Sequence, residues 1–315
     1  MSDSMIDISK YMQVYLQVKN RKNFSKDKAE DIFRKIFLKK YNTVCMDIDK
    51  TVTNGEHIDD EMLNLIFEIL RQNKNVCFIT GRGRKISKEV LSKLYKEAII
   101  RGIDIKNITC CTGNGAIYMY SKDGFLDKEE SIVTKEKIEK YKEQKELLRN
   151  LYIKELEKNA VVNINPDLLK KRSVESSGKL SLRFPINIEE IVENADMMQI
   201  LNEILLKTDL VDKYYTSKSI FKDKIIFEIS LANKKMAIEF LADKLEENTN
   251  NIIRIGDQGR KYGNDFAMLN CLQGFSVDEI ESETLGVLPV MGIEGTRLRG
   301  INATKKTLED LIIEK

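Results

Sequence analysis

The sequence predicts an α/β fold, a parallel sheet flanked by helices, into which a separate α+β domain is inserted. Three observations carry this. Apolar, β-prone runs at 43–46, 75–79, 108–111 and 252–256 alternate with amphipathic helical stretches, the pattern of strands covered on both faces. Each run stops abruptly at polar residues: Asp47 and Asp49, Thr80, Thr112, Asp257. Between about 118 and 224 the alternation lapses, and helices segregate from antiparallel-looking strands, as in a second domain carried by the first.

Residues 1–38 read as a helical extension, one helix through Met12, Tyr15 and Leu16, the next through Ala29, Ile32, Phe33 and Ile36, with Ser25 as N-cap. After the strand at 43–46, the turn Thr53-Asn54-Gly55 leads into a helix over 59–72 with Met62, Leu63, Ile66 and Phe67 on one side. The strand at 75–79 ends in Thr80-Gly81-Arg82, a helix covers 85–101, and the strand at 108–111 ends in Thr112-Gly113-Asn114-Gly115. The insertion is expected to hold a hairpin about 121–124, a long charged helix over 135–158, a strand over 179–184, a helix over 188–206, and strands near 212–217 and 224–229. The α/β pattern resumes with a helix from Lys234, the strand ending in Gly256-Asp257, a helix from Phe266, a last short strand over 274–278, a glycine-rich loop over 292–300 and a closing helix over 303–313. The expected division is therefore an extension at 1–38, a core at 39–117 with 225–315, and an insertion at 118–224.

Composition narrows the function. The chain has 315 residues, 42% of them hydrophobic, enough for one large domain or two smaller ones. Lys plus Arg total 52 against 50 Asp plus Glu, a net charge of +2, so nothing draws the whole molecule to nucleic acid or an anionic membrane. Basic clusters such as Lys170-Lys171-Arg172 read as solvated faces. Of five cysteines, Cys45, Cys77, Cys110 and Cys111 lie in apolar runs without metal-site spacing, where Cys is a small buried hydrophobe. A reduced, cytoplasmic compartment is expected. No run reaches membrane-spanning length, and residues 1–10 lack the apolar core of a signal peptide.

The chemistry lies in the strand ends, where open α/β sheets bind ligands. Asp47 and Asp49 close the first strand, and ionised carboxylates are costly to bury without a metal or a partner. One sheet edge would gather Asp47, Asp49, Thr51, Thr80, Lys234, Asp257 and Asp265. Carboxylate oxygens from separate strands suit a hard cation such as Mg²⁺, and a hydroxyl, a lysine and backbone N–H groups suit a phosphate. Together they supply what phosphoryl transfer needs: a carboxylate nucleophile, charge compensation and a second carboxylate to move a proton.

The sequence resembles the haloacid dehalogenase-like (HAD) phosphohydrolase superfamily over about 40–310. Asp47 to Thr51 match its Asp-x-Asp-x-Thr motif, Val76 to Thr80 its second strand, Lys234 its lysine, and Gly256-Asp257 with Asp265 its acidic fourth motif. The resemblance implies a Rossmann-like core with a large α+β cap, near the Cof-like, sucrose-phosphatase and phosphomannomutase branches. It further implies Asp47 as nucleophile and Asp49 as general acid/base. Thr80 and Lys234 would hold the phosphoryl group, and Thr51, Gly81, Arg82 and Asn114 the substrate. Mg²⁺ would lie on Asp47, the Asp49 main-chain carbonyl and Asp257, with Asp265 either on the metal or holding Lys234. Lys234 is preferred to Lys235 because family members carry the lysine three residues before a small residue, here Ala237.

The expected activity is a Mg²⁺-dependent phosphatase acting on a small phosphate ester, a sugar phosphate above all, through an aspartyl-phosphate. Eight positions separate Asp257 from Asp265, a long spacing that resembles phosphomannomutases. A phosphosugar mutase is therefore the alternative, although the insertion lacks the arginine-rich segment such mutases carry. A non-catalytic HAD-fold binding module is the third reading, against which both Asp47 and Asp49 are retained. Lys50 reads either as solvent-facing or as reaching a substrate anion, and the lone His57 as an exposed loop residue.

Overall fold

The computed structural model describes residues 8–20, 22–55, 57–175, 180–192, 196–208, 210, 214–221, 223–292 and 295–313. Helices α1 (Ile8–Val18) and α2 (Lys26–Phe37) pair through Tyr11, Tyr15, Phe33 and Phe37, whose rings stack edge to face or tilted. The Ser25 hydroxyl accepts from the Lys28 N–H and starts α2, as an N-cap should. Strand β1 (Thr43–Met46) is buried at every residue. Asp59 caps α3 (Asp60–Arg71) through the Met62 N–H at 2.8 Å. Then come β2 (Asn75–Ile79), α4 (Arg84–Val90), α5 (Ser92–Ile100) and β3 (Ile108–Thr112). The helix expected over 85–101 is broken at Leu91.

The chain continues through β4 (Ile117–Tyr120), β5 (Lys128–Ser131), α6 (Lys135–Lys158), α7 (Pro166–Arg172), β6 (Val174–Glu175), β7 (Ser181–Asn187), α8 (Met197–Lys207), β8 (Tyr215–Phe221) and β9 (Lys224–Ser230). It closes with α9 (Lys234–Lys244), β10 (Ile252–Gly259), α10 (Phe266–Leu269), β11 (Gly274–Ile280), β12 (Leu288–Met291), β13 (Arg297–Leu298) and α11 (Gly300–Leu311).

Among the described residues a nine-stranded sheet runs β13-β12-β11-β10-β1-β2-β3-β4-β5. Its six central strands are parallel, and β13, β4 and β5 join antiparallel at the edges. Both faces are covered, as a parallel sheet requires. Val44, Met46, Val76 and Phe78 face the helices α1, α2, α3 and α11. Cys45, Cys77 and Ile79 face α9 and α10. Cys110 and Cys111 fall on opposite faces, as strand alternation dictates.

The inserted sheet runs β6-β7-β9-β8, all antiparallel. Leu182, Phe184, Phe227 and Ile229 on one face pack with Leu148, Tyr152, Leu201 and Leu205 of α6 and α8. Arg183 stands opposite Glu228, and Ser181 opposite Ser230, so these four share the other face.

Sheet membership moves the expected edges of the insertion. Strands β4 and β5, expected at its start, extend the large sheet, and β9, whose run the expected boundary at 224 cut across, is a central strand of the small one. Residues 132–233 thus carry the second layer rather than 118–224. An antiparallel strand added to a parallel sheet has the same apolar alternation as one in a separate sheet, so the pattern could not separate them. The helix expected over 188–206 begins only at Met197, after a turn of 3₁₀ helix at Ile188–Glu190. Strands β12 and β13 were outside the expectation. The insertion leaves and rejoins the core at one point. The Ile132 N–H donates to the Ala116 carbonyl at 2.9 Å, and a Cβ on Gly115, whose φ is +91°, would lie 2.7 Å from the Asn233 carbonyl oxygen.

Candidate active site

At the carboxyl end of β1 the chain turns through Asp47 to Thr51. The Asp47 N–H donates to the Ile255 carbonyl at 2.9 Å, which ties the turn to β10. Asp47 is buried, and its Oδ1 accepts from Lys234 Nζ at 2.7 Å. Lys234 is the first residue of α9, fixed there by the Asn233 side chain, which accepts from the Met236 N–H. It is completely buried, whereas the side chain of Lys235 is 58% exposed and pairs with Glu239 along the helix. Lys234 also donates to Asp265 Oδ1 at 2.5 Å.

Asp265 is itself fixed from the other side. Its Oδ2 accepts from the backbone N–H groups of Asp257 and Gln258 at 2.9 and 3.0 Å. Strand register shifts between Gly256 and Gln258, a bulge that re-aims the side chain at the strand end. Gly256 makes room for this arrangement, since a Cβ there would lie 2.6 Å from Asp265 Cγ. Asp257 Oδ1 is buried without a hydrogen-bond partner. Asp47, Asp257 and Asp265 can bring one oxygen each to within 4.8 Å of the others.

Three carboxylates and one ammonium form a strongly unbalanced cluster away from water. Burial pushes Asp257 up to about 9, reinforced by Asp265 and Asp47. Burial likewise raises Asp47 to about 7, against the pull of Lys234 and with a push from Asp265. Asp265 is also raised by burial, but Lys234 and the Gln258 N–H outweigh it and hold it below the ordinary carboxylate value. Burial pulls the Lys234 pKa down, but Asp265 and Asp47 outweigh it and hold it above the ordinary lysine value, so Lys234 stays protonated. An orphaned buried carboxylate oxygen beside two further carboxylates is a donor set for a hard divalent cation. The residues fit one.

The remaining site residues lie around this cluster. Asp49 is half-exposed and held by Arg82, whose Nε donates to Oδ2 at 2.8 Å and whose Nη2 donates to Oδ1. That pair raises the Arg82 pKa. Thr80 is buried, and its Oγ1 accepts from the Arg82 N–H at 3.1 Å. Asn114, in the left-handed conformation at φ +59°, donates through Nδ2 to Glu228 of β9 at 3.1 Å. The Thr51 hydroxyl is buried without a partner, and its carbonyl accepts from Thr304 of α11. Gly81 lies against Asn114, whose Oδ1 would be 2.8 Å from a Cβ at that position. Lys50 and His57 are exposed.

A cavity of about 290 Å³ opens between core and insertion, lined by Asn114, Asn233 and Asn264 below and by Tyr214, Tyr215 and Ser230 above. None of its described lining residues is charged. The backbone closes over one side, where the Lys218 N–H donates to the Tyr262 carbonyl at 2.8 Å. Sequence reasoning did not single out Arg183 or Glu228, which reach the site from β7 and β9. Their signal was a charged residue on the alternating face of each strand, and only cross-strand register shows that the two meet.

No family model matches the sequence, and no curated protein matches it either. Solved structures do. N-terminally truncated Plasmodium falciparum IMP-nucleotidase superposes with a TM-score of 0.58 at 14% identity, covering 96% of this chain and 82% of that one. Its IMP-bound form gives 0.59 at 14% identity, with 96% and 79% covered. A haloacid dehalogenase-like hydrolase from B. subtilis aligns over 75% of this chain at 16% identity with a TM-score of 0.44. At such identities the likeness is one of fold alone, an α/β fold with a large parallel sheet flanked by helices, as the alternation of strands and helices led us to expect. No helix among the described residues is long and apolar enough to cross a membrane.

Proposed function

We propose that the protein is a Mg²⁺-dependent phosphoric monoester hydrolase acting on a small phosphorylated metabolite. The observation that carries this is the buried set of Asp47, Lys234, Asp257 and Asp265 at the strand ends. It joins a nucleophile, a fixed cation and a donor set for a divalent metal in one place. Asp47 Oδ2, not used by Lys234, attacks phosphorus; the ester oxygen leaves with a proton from Asp49, and Asp49 then takes a proton from the water that hydrolyses the aspartyl-phosphate. Lys234 and the Thr80 hydroxyl hold the non-bridging oxygens. Asp47, Asp257 and the Asp49 carbonyl would hold Mg²⁺, which supplies charge compensation for the approach of two anions. Asp265, with both oxygens occupied, keeps Lys234 and the Asp257 turn in place.

The substrate reading is a sugar phosphate whose sugar bears an uncharged, hydrogen-bonding group, that is, a nucleoside monophosphate. Amide side chains and tyrosine rings in an uncharged cavity match the edges and faces of a nucleobase, and the name of the superposing Plasmodium enzyme points the same way. A phosphosugar mutase would need a cationic socket for a second phosphate at the far end, which the described lining lacks. The test is phosphate release from IMP, ribose 5-phosphate, a hexose 6-phosphate and p-nitrophenyl phosphate, with Mg²⁺ and with EDTA. We expect release that EDTA abolishes and that is fastest with the nucleotide. Equal or faster turnover of the hexose ester would overturn the nucleotide reading, and no release from any ester would overturn the hydrolase reading. Asp47→Asn should fall by at least about a thousandfold with an unchanged circular dichroism spectrum.

A further inference from the structure

The turn at Thr80-Gly81-Arg82 is held by its carbonyls, one after another. The Thr80 carbonyl accepts from the Asn114 N–H at 3.0 Å, and the Arg82 carbonyl from the Gly113 N–H at 3.0 Å. Both donors belong to the core. The middle carbonyl, that of Gly81, accepts instead from the insertion, through Arg183 Nη2 at 3.1 Å. Because C=O and N–H of a trans peptide point in opposite directions, fixing the Gly81 carbonyl also fixes the Arg82 N–H. That N–H donates to Thr80 Oγ1 at 3.1 Å. With an acceptor site of Oγ1 so occupied, the hydroxyl proton is free to point at a phosphoryl oxygen. Arg183 is in turn aimed by Glu228, its direct cross-strand partner, which accepts from Nε at 3.1 Å. Glu228 is buried, and it also accepts from Ser181 and from Asn114.

We propose that Arg183, aimed by Glu228, is a positioning residue through which the inserted layer completes the phosphate socket: it sets one peptide plane, and that peptide sets the Thr80 hydroxyl. This rests on the hydrolase reading above, in which Thr80 binds the phosphoryl group. The consequence is that Arg183 matters for every phosphate ester, whatever its organic part, and matters only while Thr80 has its hydroxyl.

The experiment is a double-mutant cycle of Arg183→Ala and Thr80→Ala, read by kcat/KM on p-nitrophenyl phosphate and on IMP, and by calorimetric affinity for orthophosphate, which needs no turnover. A hydrogen bond from a charged donor predicts a loss of about tenfold or more for Arg183→Ala on both esters and on orthophosphate. In the Thr80→Ala background the same change should cost less than about threefold, because interacting residues are not additive. Arg183→Lys should recover part of the loss, since its ammonium can still reach a carbonyl, and Glu228→Gln should show a smaller loss with the same dependence on Thr80. Equal losses in both backgrounds would overturn the proposal, as would a loss confined to IMP, which would make Arg183 a contact to the organic moiety. Unchanged values in Arg183→Ala beside an active wild type would also overturn it and leave the hydrolase reading standing. Wild-type protein that binds orthophosphate with the expected Arg183 dependence, yet turns over no ester, would refute the hydrolase reading alone.

Discussion

A lysine at the first position of a helix works against the helix dipole, and a fully buried one is costly unless its charge is met. Lys234 bears both penalties, and Asp47 and Asp265 offset them. Lys234→Met should therefore leave two carboxylates facing each other in the core and destabilise the fold by roughly 3–5 kcal/mol. Urea denaturation measures this, and an unchanged midpoint would refute the balance described here. At this scale the sequence was informative where chemistry forces a residue type at a strand end. Asp47, Thr80 and Asp257 were named from such positions, whereas Lys234 at the start of α9 and Asp265 before α10 were chosen by motif spacing. What the spacing left open was the work of Asp265. The structure commits one of its oxygens to Lys234 and the other to two backbone N–H groups. Arg183 and Glu228 were illegible, because a single charge in a strand of the insertion reads as solvent-facing until its partner across the sheet is known.

Among elements, the two N-terminal helices are integral to the main core and not merely laid on it. Tyr11, Tyr15 and Phe33 belong to the same apolar cluster as Leu288 and Val290 of β12 and Leu308 of α11. The Tyr11 hydroxyl donates to Asp310 at 2.5 Å, joining the first and last helices, and burial with that carboxylate pushes the phenol far above its ordinary value. Tyr11→Phe should cost about 1–2 kcal/mol by denaturation and leave phosphate release unchanged; a change in turnover without loss of stability would contradict a purely structural role. Long elements with a clear period were legible, α6 residue for residue. Short ones were not. Strand β12 has four residues with Pro289 among them, and β13 has two, too few to show a period. The break at Leu91 between α4 and α5 has no glycine or proline to announce it.

For the molecule as a whole, the buried carboxylates predict how stability responds to pH and metal together. Asp257 has its folded pKa raised from 3.8 to about 9. In metal-free protein its contribution to stability is complete below the unfolded value and is lost as pH rises toward about 9, because the unfolded chain gives up the proton first. Asp47, raised to about 7, adds to the same slope. A divalent cation favours the ionised forms and should cancel the loss. Thermal melts in EDTA should then fall between about pH 5 and about pH 8, and Mg²⁺ should raise the midpoint much more at the higher pH. A Mg²⁺ shift equal at both pH values would count against these carboxylates as the metal's ligands.

The shared exit and entry at Gly115, Ala116, Ile132 and Asn233 has a consequence for dissection of the chain. The two ends of the insertion are close enough to be joined by a short linker, and among the described residues no strand of the large sheet lies between them in sequence after β5 and before β10. A shortened protein lacking 133–231 should keep the large sheet and its acidic cluster while losing Arg183 from the Gly81 carbonyl. The boundary between scaffold and attachment is thus a natural site for surgery, at which binding of a divalent ion and recognition of an organic group can be separated on one backbone.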